Sequence, residues 1–354
     1  MCKSLVASLG FLFLLNTSAT LAQNAPVKRN VGQRSWPAEV KKVEIPTSDG
    51  VPQPSMWYAP AGGGKKPLLV GLHTWSSNFA SAGGDAIYAE WCVAQGWAFV
   101  HPHFRGPNNT PDSMGSDRAV QDIVEAVAWA KKQTPIDESR IYLIGGSGGG
   151  HMSLLMAGRH PEIWAAVSAW CGITDIHAWH TFHTKDGKPA KYARDIEGAL
   201  GGSPANDDAL KAAAAHRSPL TWLHQAKSVP VDINHGIHDG RVGSVPFTHS
   251  LHAYNSVIGD SGPKLKETDI NAYYETRTLP ATWKAAAASE VYGSWQPKFV
   301  QQHQNTRITI FEGGHELVHQ AALNWLALQR KGQPAIWEVK KFIKLDTGGG
   351  ETAR

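Results

Sequence analysis

Arg140-Ile141-Tyr142-Leu143-Ile144-Gly145-Gly146-Ser147-Gly148-Gly149-Gly150 is an apolar run feeding a serine wrapped in glycines. A helical pattern follows it to about Arg159. That is the strand–turn–helix setting of a nucleophile elbow, Gly-x-Ser-x-Gly, with Gly145, Ser147 and Gly149 in place. Glycines beside the serine let the strand and helix backbones approach without a Cβ clash. The turn holds the hydroxyl above the sheet at a helix N-terminus, where developing negative charge is favoured. A phosphate-cradling loop would need Lys after its glycines, and His151 and Met152 stand there instead. A glycine turn that merely packs well is the plain alternative, so the serine must be judged by its partners.

Outward from this turn, apolar runs alternate with helical patterns. Leu68–Leu72 and Trp97–Val100 read as strands before the elbow strand, Ile141–Ile144. Trp164–Ala169, Val231–Asn234 and Arg307–Phe311 read as strands after it. Helices are expected over about Asp85–Gln95, Ser116–Lys132, Gly148–Arg159 and Val318–Leu328. In the second, Val120, Ile123, Val124 and Val127 keep the helical spacing. Asp117 in its first turn and Lys131 and Lys132 in its last suit the helix dipole. Alternation of this kind predicts an α/β fold, a mostly parallel sheet covered on both faces. Sites in such sheets lie at the carboxyl ends of the strands.

A serine hydroxyl needs a base to take its proton and a third group to orient that base. Asp239 follows the strand Val231–Asn234 in a Gly-flanked loop, His235-Gly236-Ile237-His238-Asp239-Gly240. His315 follows Arg307–Phe311 behind Gly313 and Gly314. Asp232 lies within its strand, and Asp175 comes early in the chain. With 17 histidines, a lone His carries little weight. The order Ser147, Asp239, His315, each just past a strand, is the order of α/β-hydrolases, and it selects these three as the catalytic residues. His177, His180 and His183 recur at intervals of three, but no Cys or His-Glu-x-x-His accompanies them. They read as a solvated face, and no metal site is expected.

Phe104-Arg105-Gly106, Asp122 on a helix, the elbow and His160-Pro161-Glu162-Ile163-Trp164-Ala165-Ala166 form an ordered set. With His235-Gly236 leading to Asp239, and Gly314-His315, this set resembles the catalytic domain of the prolyl oligopeptidase family of serine hydrolases over residues 65–330. The resemblance implies an α/β-hydrolase fold, with Ser147 as nucleophile, His315 as base and Asp239 as its orienter. It implies structural roles for Arg105 and Asp122. Two departures stand out. Only some 40 residues separate the expected cleavage point from the first core strand, which leaves no room for the family's N-terminal propeller. The family's aromatic- or His-Gly-Gly turn is replaced by Leu72-His73-Thr74-Trp75-Ser76-Ser77-Asn78. One oxyanion donor is then the backbone N–H of Gly148, and the second comes from Thr74 or Trp75.

The predicted chemistry is acyl transfer to Ser147 followed by hydrolysis, with no cofactor. The family implies a peptide bond. The altered loop and absent propeller leave open an ester of a polysaccharide or another small acyl group. The substrate is thus a small molecule, a peptide or a glycan ester. Trp75, Trp170, Trp179 and His151 are candidate pocket residues, with Trp222 near the same loops, in a chain of 14 Trp. Aromatic walls would suit sugar rings or aromatic acyl groups, although Trp is more often core packing. A non-catalytic secreted binding protein is the remote alternative, and the intact Ser147, Asp239 and His315 argue against it.

The chain has 354 residues, 42% hydrophobic and 18% charged, with a formal charge of +4. This is ordinary globular composition. No basic cluster stands out, so nucleic acid is not an expected partner. Lys3, the apolar Leu5–Leu15 and the small residues around Ala22 read as a signal peptide, residues 1–22, for a secreted or periplasmic protein. The apolar stretch is short for a membrane span, with a retained anchor as the alternative. Residues 23–40 read as a lead-in, 41–345 as the catalytic domain and 346–354 as a flexible Gly-rich tail. Excursions over about 174–228 and 258–305 are expected near the pocket mouth. Export permits Cys92 and Cys171 to pair, but nothing specifies the bond, and buried thiols are the commoner outcome. Oligomeric state is not legible.

Overall fold

The computed structural model describes residues 34–345. The signal peptide, most of the lead-in and the tail read from the sequence lie outside the described residues. Eight strands and their helices build the hydrolase core: β1 (Lys41–Ile45), β2 (Gln53–Tyr58), β3 (Lys66–Leu72), β4 (Ala98–Pro102), β5 (Ile136–Gly146) and β6 (Ala166–Trp170), then Val231–Gly236 and Thr306–Phe311. A two-stranded hairpin, β7 (Thr184–Lys185) and β8 (Lys188–Pro189), lies in the first excursion. The later strands are therefore β9 (Val231–Gly236), β10 (Pro297–His303) and β11 (Thr306–Phe311). The main sheet runs β1-β2-β4-β3-β5-β6-β9-β11-β10. It is parallel from β4 to β11 and antiparallel at both edges. This is the α/β-hydrolase arrangement.

The helices that cover it are α1 (Ala86–Gln95), α2 (Asp117–Gln133) and α3 (Gly148–Arg159), with α4 (Ile176–Phe182), α5 (Lys191–Leu200), α6 (Asp208–His216) and α7 (Pro219–Trp222) in the first excursion. Then come α8 (Thr248–Ile258), α9 (Glu267–Thr276) and α10 (His319–Leu328). One apolar layer joins the sheet to α2, α3 and α8, and the other joins it to α1 and α10. Helix α2 starts where the sequence says it should: the Ser116 hydroxyl accepts the Ala119 N–H at 3.1 Å. Helix α1 stops at Gly96, which takes the left-handed conformation open to glycine.

The central strands matched their apolar runs because both their faces are buried. Besides the β7–β8 hairpin, three strands of the main sheet were not anticipated. β1 and β10 are the edge strands and β2 lies next to β1, and their mixed polar composition, such as Lys-Lys-Val-Glu-Ile, leaves only a weak alternation. β5 also begins five residues earlier than its apolar run, because Lys66 pairs with Ile136 across an irregular register. Among the described residues no helix is long and apolar enough to cross a membrane.

Candidate active site

The elbow joins β5 to α3. Ser147 has φ 56° and ψ −118°, a backbone conformation costly for a residue with a side chain. Its N–H donates to the Trp170 carbonyl at 2.8 Å, tying the turn to the end of β6. The glycines are required by contact. A Cβ on Gly145 would lie 2.4 Å from the Gly149 carbonyl carbon, so strand and helix could not close. A Cβ on Gly148 would lie 2.4 Å from the Trp75 backbone nitrogen. The backbone of Gly148 and the Trp75 nitrogen are therefore close neighbours. Among the described residues the Trp75 N–H donates to no backbone carbonyl, while the Thr74 carbonyl takes the His73 ring and Ser77 N–H.

Asp239 and His315 come together from the ends of β9 and β11. Asp239 Oδ2 lies 2.5 Å from His315 Nδ1 and 2.9 Å from His235 Nε2. Its Oδ1 accepts the N–H groups of Gly240 at 2.9 Å and Val245 at 3.1 Å. Burial opposes the charge of Asp239, yet the His315 charge and the hydrogen bonds from His235 and His315 outweigh it. The carboxyl is held well below the usual carboxylate range. His235 Nδ1 sits 2.7 Å from the Ser250 hydroxyl, which leaves its Nε2–H for Asp239. The His315 loop lies over the elbow: a Cβ on Gly146 would meet Leu317 at 3.3 Å. Ser147 keeps 5% of its surface exposed and the His315 side chain 11%.

The pocket residues divide. Trp75 and Trp179 meet edge to face at 4.7 Å in an apolar cluster with Ile173, Ile176 and Val245. His151 is buried behind Trp75, its Nδ1 2.9 Å from the Ile173 carbonyl, and burial pushes it down to about 4. Trp170 is a correction. Only its carbonyl is at the site; its ring is fully buried on the α1–α10 side against Phe311 and Tyr292, with its N–H on Ser168. Ser168 and Trp170 share a strand face at period two, and that face is core. Trp222 lies at the outer end of α3, over Arg159. His180 faces Glu197 at 2.9 Å and His183 faces the Ser244 carbonyl at 2.8 Å, so each has a ring nitrogen engaged within the protein.

Cys92 and Cys171 are free and buried. Cys171, at φ +48°, donates to the Glu316 carbonyl at 3.4 Å beneath the His315 loop, and burial pushes its thiol far above the ordinary range. Asp122 is buried between Arg105, at 2.6 Å, and Arg118. Four residues at the site had no assigned role in the sequence: Asn108, Asp195, His235 and Cys171. His235 stood in the open beside Gly236, but a histidine four residues from its partner in a strand–loop junction has no distinguishing signature. Asn108 and Asp195 carry no local signal at all.

The fold and the serine elbow at its centre define a serine hydrolase. A model of the prolyl oligopeptidase family matches residues 87–274, more than half the chain, and the protein belongs to that family. It is 28% identical over 187 residues to dipeptidyl aminopeptidase BIII of Pseudoxanthomonas mexicana, covering 50% of this chain and 26% of that one. It is 25% identical over 185 residues to the acylamino-acid-releasing enzyme of Mus musculus, covering 48% of this chain and 23% of that one. The chain thus spans about a quarter of the length of these curated relatives. Among solved structures, an acylaminoacyl peptidase of Pyrococcus horikoshii superposes with a TM-score of 0.57 at 14% identity, over 87% of this chain and 44% of that one. That likeness is one of fold.

Proposed function

We propose that this protein is an exported serine peptidase that hydrolyses short peptides through an acyl-enzyme on Ser147. The observation that carries the reading is the 2.5 Å Asp239–His315 pair, held by a loop that lies on the elbow of a strained serine. Asp239 accepts Nδ1–H of His315 and so presents Nε2 as the base. Nε2 takes the Ser147 proton as Oγ attacks the carbonyl carbon, then returns it to the leaving amine. Water repeats the sequence on the acyl-enzyme. The N–H groups of Gly148 and Trp75 receive the oxyanion. The names of the two curated relatives support a substrate whose dipeptide or acylamino-acid end is released. The Lys3–Ala22 segment supports export.

A fluorophosphonate probe should label the wild type and not Ser147→Ala. No labelling of the wild type, or equal labelling of the variant, would remove Ser147 from the mechanism. Dipeptidyl and acylaminoacyl amides should be turned over alongside short acyl and sugar esters. Turnover of esters alone would replace the peptidase reading with an esterase. Amino-terminal sequencing of the exported protein should begin at Gln23.

A further inference from the structure

Trp75 belongs to a loop, so no ladder of sheet hydrogen bonds fixes its peptide. Its carbonyl accepts the Asn108 N–H at 3.0 Å and Asn108 Nδ2 at 3.2 Å. Its indole Nε1 donates to Asp195 Oδ2 at 3.1 Å, across 120 positions of chain. Asp195 is on α5, inside the first excursion. The same oxygen takes Lys191 Nζ at 2.8 Å, and Lys191 reaches Ser76 Oγ at 2.8 Å. The opposite side of the excursion is fastened too: Trp179 Nε1 and His183 Nε2 each lie 2.8 Å from the Ser244 carbonyl, next to the Val245 N–H that serves Asp239. The excursion therefore grips one loop on each side of the site.

We infer that Asp195 is a positioning residue of the oxyanion hole. It anchors the indole of Trp75 and thereby fixes the Trp75 backbone N–H beside that of Gly148. This rests on the proposed role of those two N–H groups. An oxyanion donor works because it is already aimed when charge develops. A buried ring tethered at its far end restrains the backbone from which it grows. With Asp195 removed, the indole N–H loses its acceptor inside a cluster that leaves Trp75 only 2% exposed. The ring then shifts toward the solvent edge that Asp195 occupied and turns the peptide with it.

The test compares Asp195→Ala, Asp195→Asn and Trp75→Phe in the full chain. Asp195→Ala should lower kcat by roughly 10- to 100-fold, the range for a misplaced catalytic donor, with KM within about 2-fold of wild type. Asp195→Asn keeps an acceptor oxygen and should restore most of the loss. Trp75→Phe removes the N–H together with the pyrrole part of the indole, so it should be at least as slow as Asp195→Ala, and the double variant should be no slower than Trp75→Phe alone. A peptidyl trifluoromethyl ketone, whose hemiketal oxygen occupies the oxyanion position, should weaken in step with kcat/KM. A simple competitive product should bind as before. Wild-type kcat in Asp195→Ala, additive losses, or equal weakening of product and ketone would overturn the inference. Turnover by Ser147→Ala would instead overturn the underlying site, whatever Asp195 does.

Discussion

Gly148 tolerates no side chain, because a methyl group there would press on the Trp75 nitrogen at 2.4 Å. Gly148→Ala must move either the elbow or the 74–75 loop, and both carry a proposed oxyanion donor. We expect kcat to fall by about 10²-fold or more, the worth of one such donor, with the fold retained by circular dichroism. Normal kcat in that variant would show that the two nitrogens do not act together. Asp239 has four hydrogen-bond partners, two histidines and two backbone N–H groups. Asp239→Asn puts an amide where an acceptor is needed and favours the wrong His315 tautomer. The expected loss is about 10⁴-fold in kcat, read from steady-state rates at pH 7 to 8. The elbow at Ser147 and the pairing of Asp239 with His315 could be anticipated because each of these residues follows an apolar strand and is flanked by glycine. Asn108 and Asp195 could not be, because a hydrogen bond to a distant side chain leaves no mark on spacing.

Helix α4 is short, but it ties the excursion to the acid loop. Trp179→Phe removes one of two donors to the Ser244 carbonyl together with the pyrrole part of the indole, and should cost about 1–2 kcal/mol of stability. Trp179→Ala empties the apolar cluster beneath Trp75 and should cost about 3–5 kcal/mol. Urea titrations followed by fluorescence would separate them, and equal costs would mean that the ring contributes no packing. The second excursion behaves differently. The α9 segment backs the acid loop from outside, where the Arg277 guanidinium lies over Tyr274 at 4.3 Å and reaches the Asp239 carbonyl at 3.4 Å. The segment then ends as the edge strand β10. Composition alone marked both excursions as irregular, because helices this short have few turns in which to show a period.

Across the molecule, burial holds several histidines neutral. His73 and His151 are pushed down to about 4 and His249 to about 3, and burial holds His101 well below the usual imidazole range. The unfolded chain binds these protons near pH 6.5, whereas the folded chain refuses them until about pH 4. Their contribution is therefore complete above pH 6.5 and drains away as pH falls toward 4, by roughly 2 kcal/mol for each of His73, His151 and His249 at pH 5. Asp85, pushed up to about 8 by burial, works the other way as pH rises from 4 to 8. Its side chain keeps 21% exposure, and one carboxyl does not offset four histidines. Below pH 4 the depressed Asp239 adds a second loss as it is protonated. The thermal midpoint should drop by roughly 5–10 °C between pH 7 and pH 5 at constant ionic strength. A flat profile over that range, measured by scanning calorimetry, would contradict it.

The sequence by itself determined the α/β class, the elbow at Ser147 and the candidates Asp239 and His315 that the structure pairs with each other. Those features are local: an apolar run buried on both faces, glycines where backbones touch, a hydroxyl that caps α2. Tertiary structure alone decided the face on which Trp170 lies, because a strand buried on both sides has no alternation to read. It also decided that the Thr74–Trp75 peptide lies against Gly148, with the Trp75 nitrogen nearest, and that Asp195 holds the indole from 120 residues away. Such contacts depend on how the excursion folds back over the sheet, and pairing at that separation is set by packing rather than by any pattern along the chain.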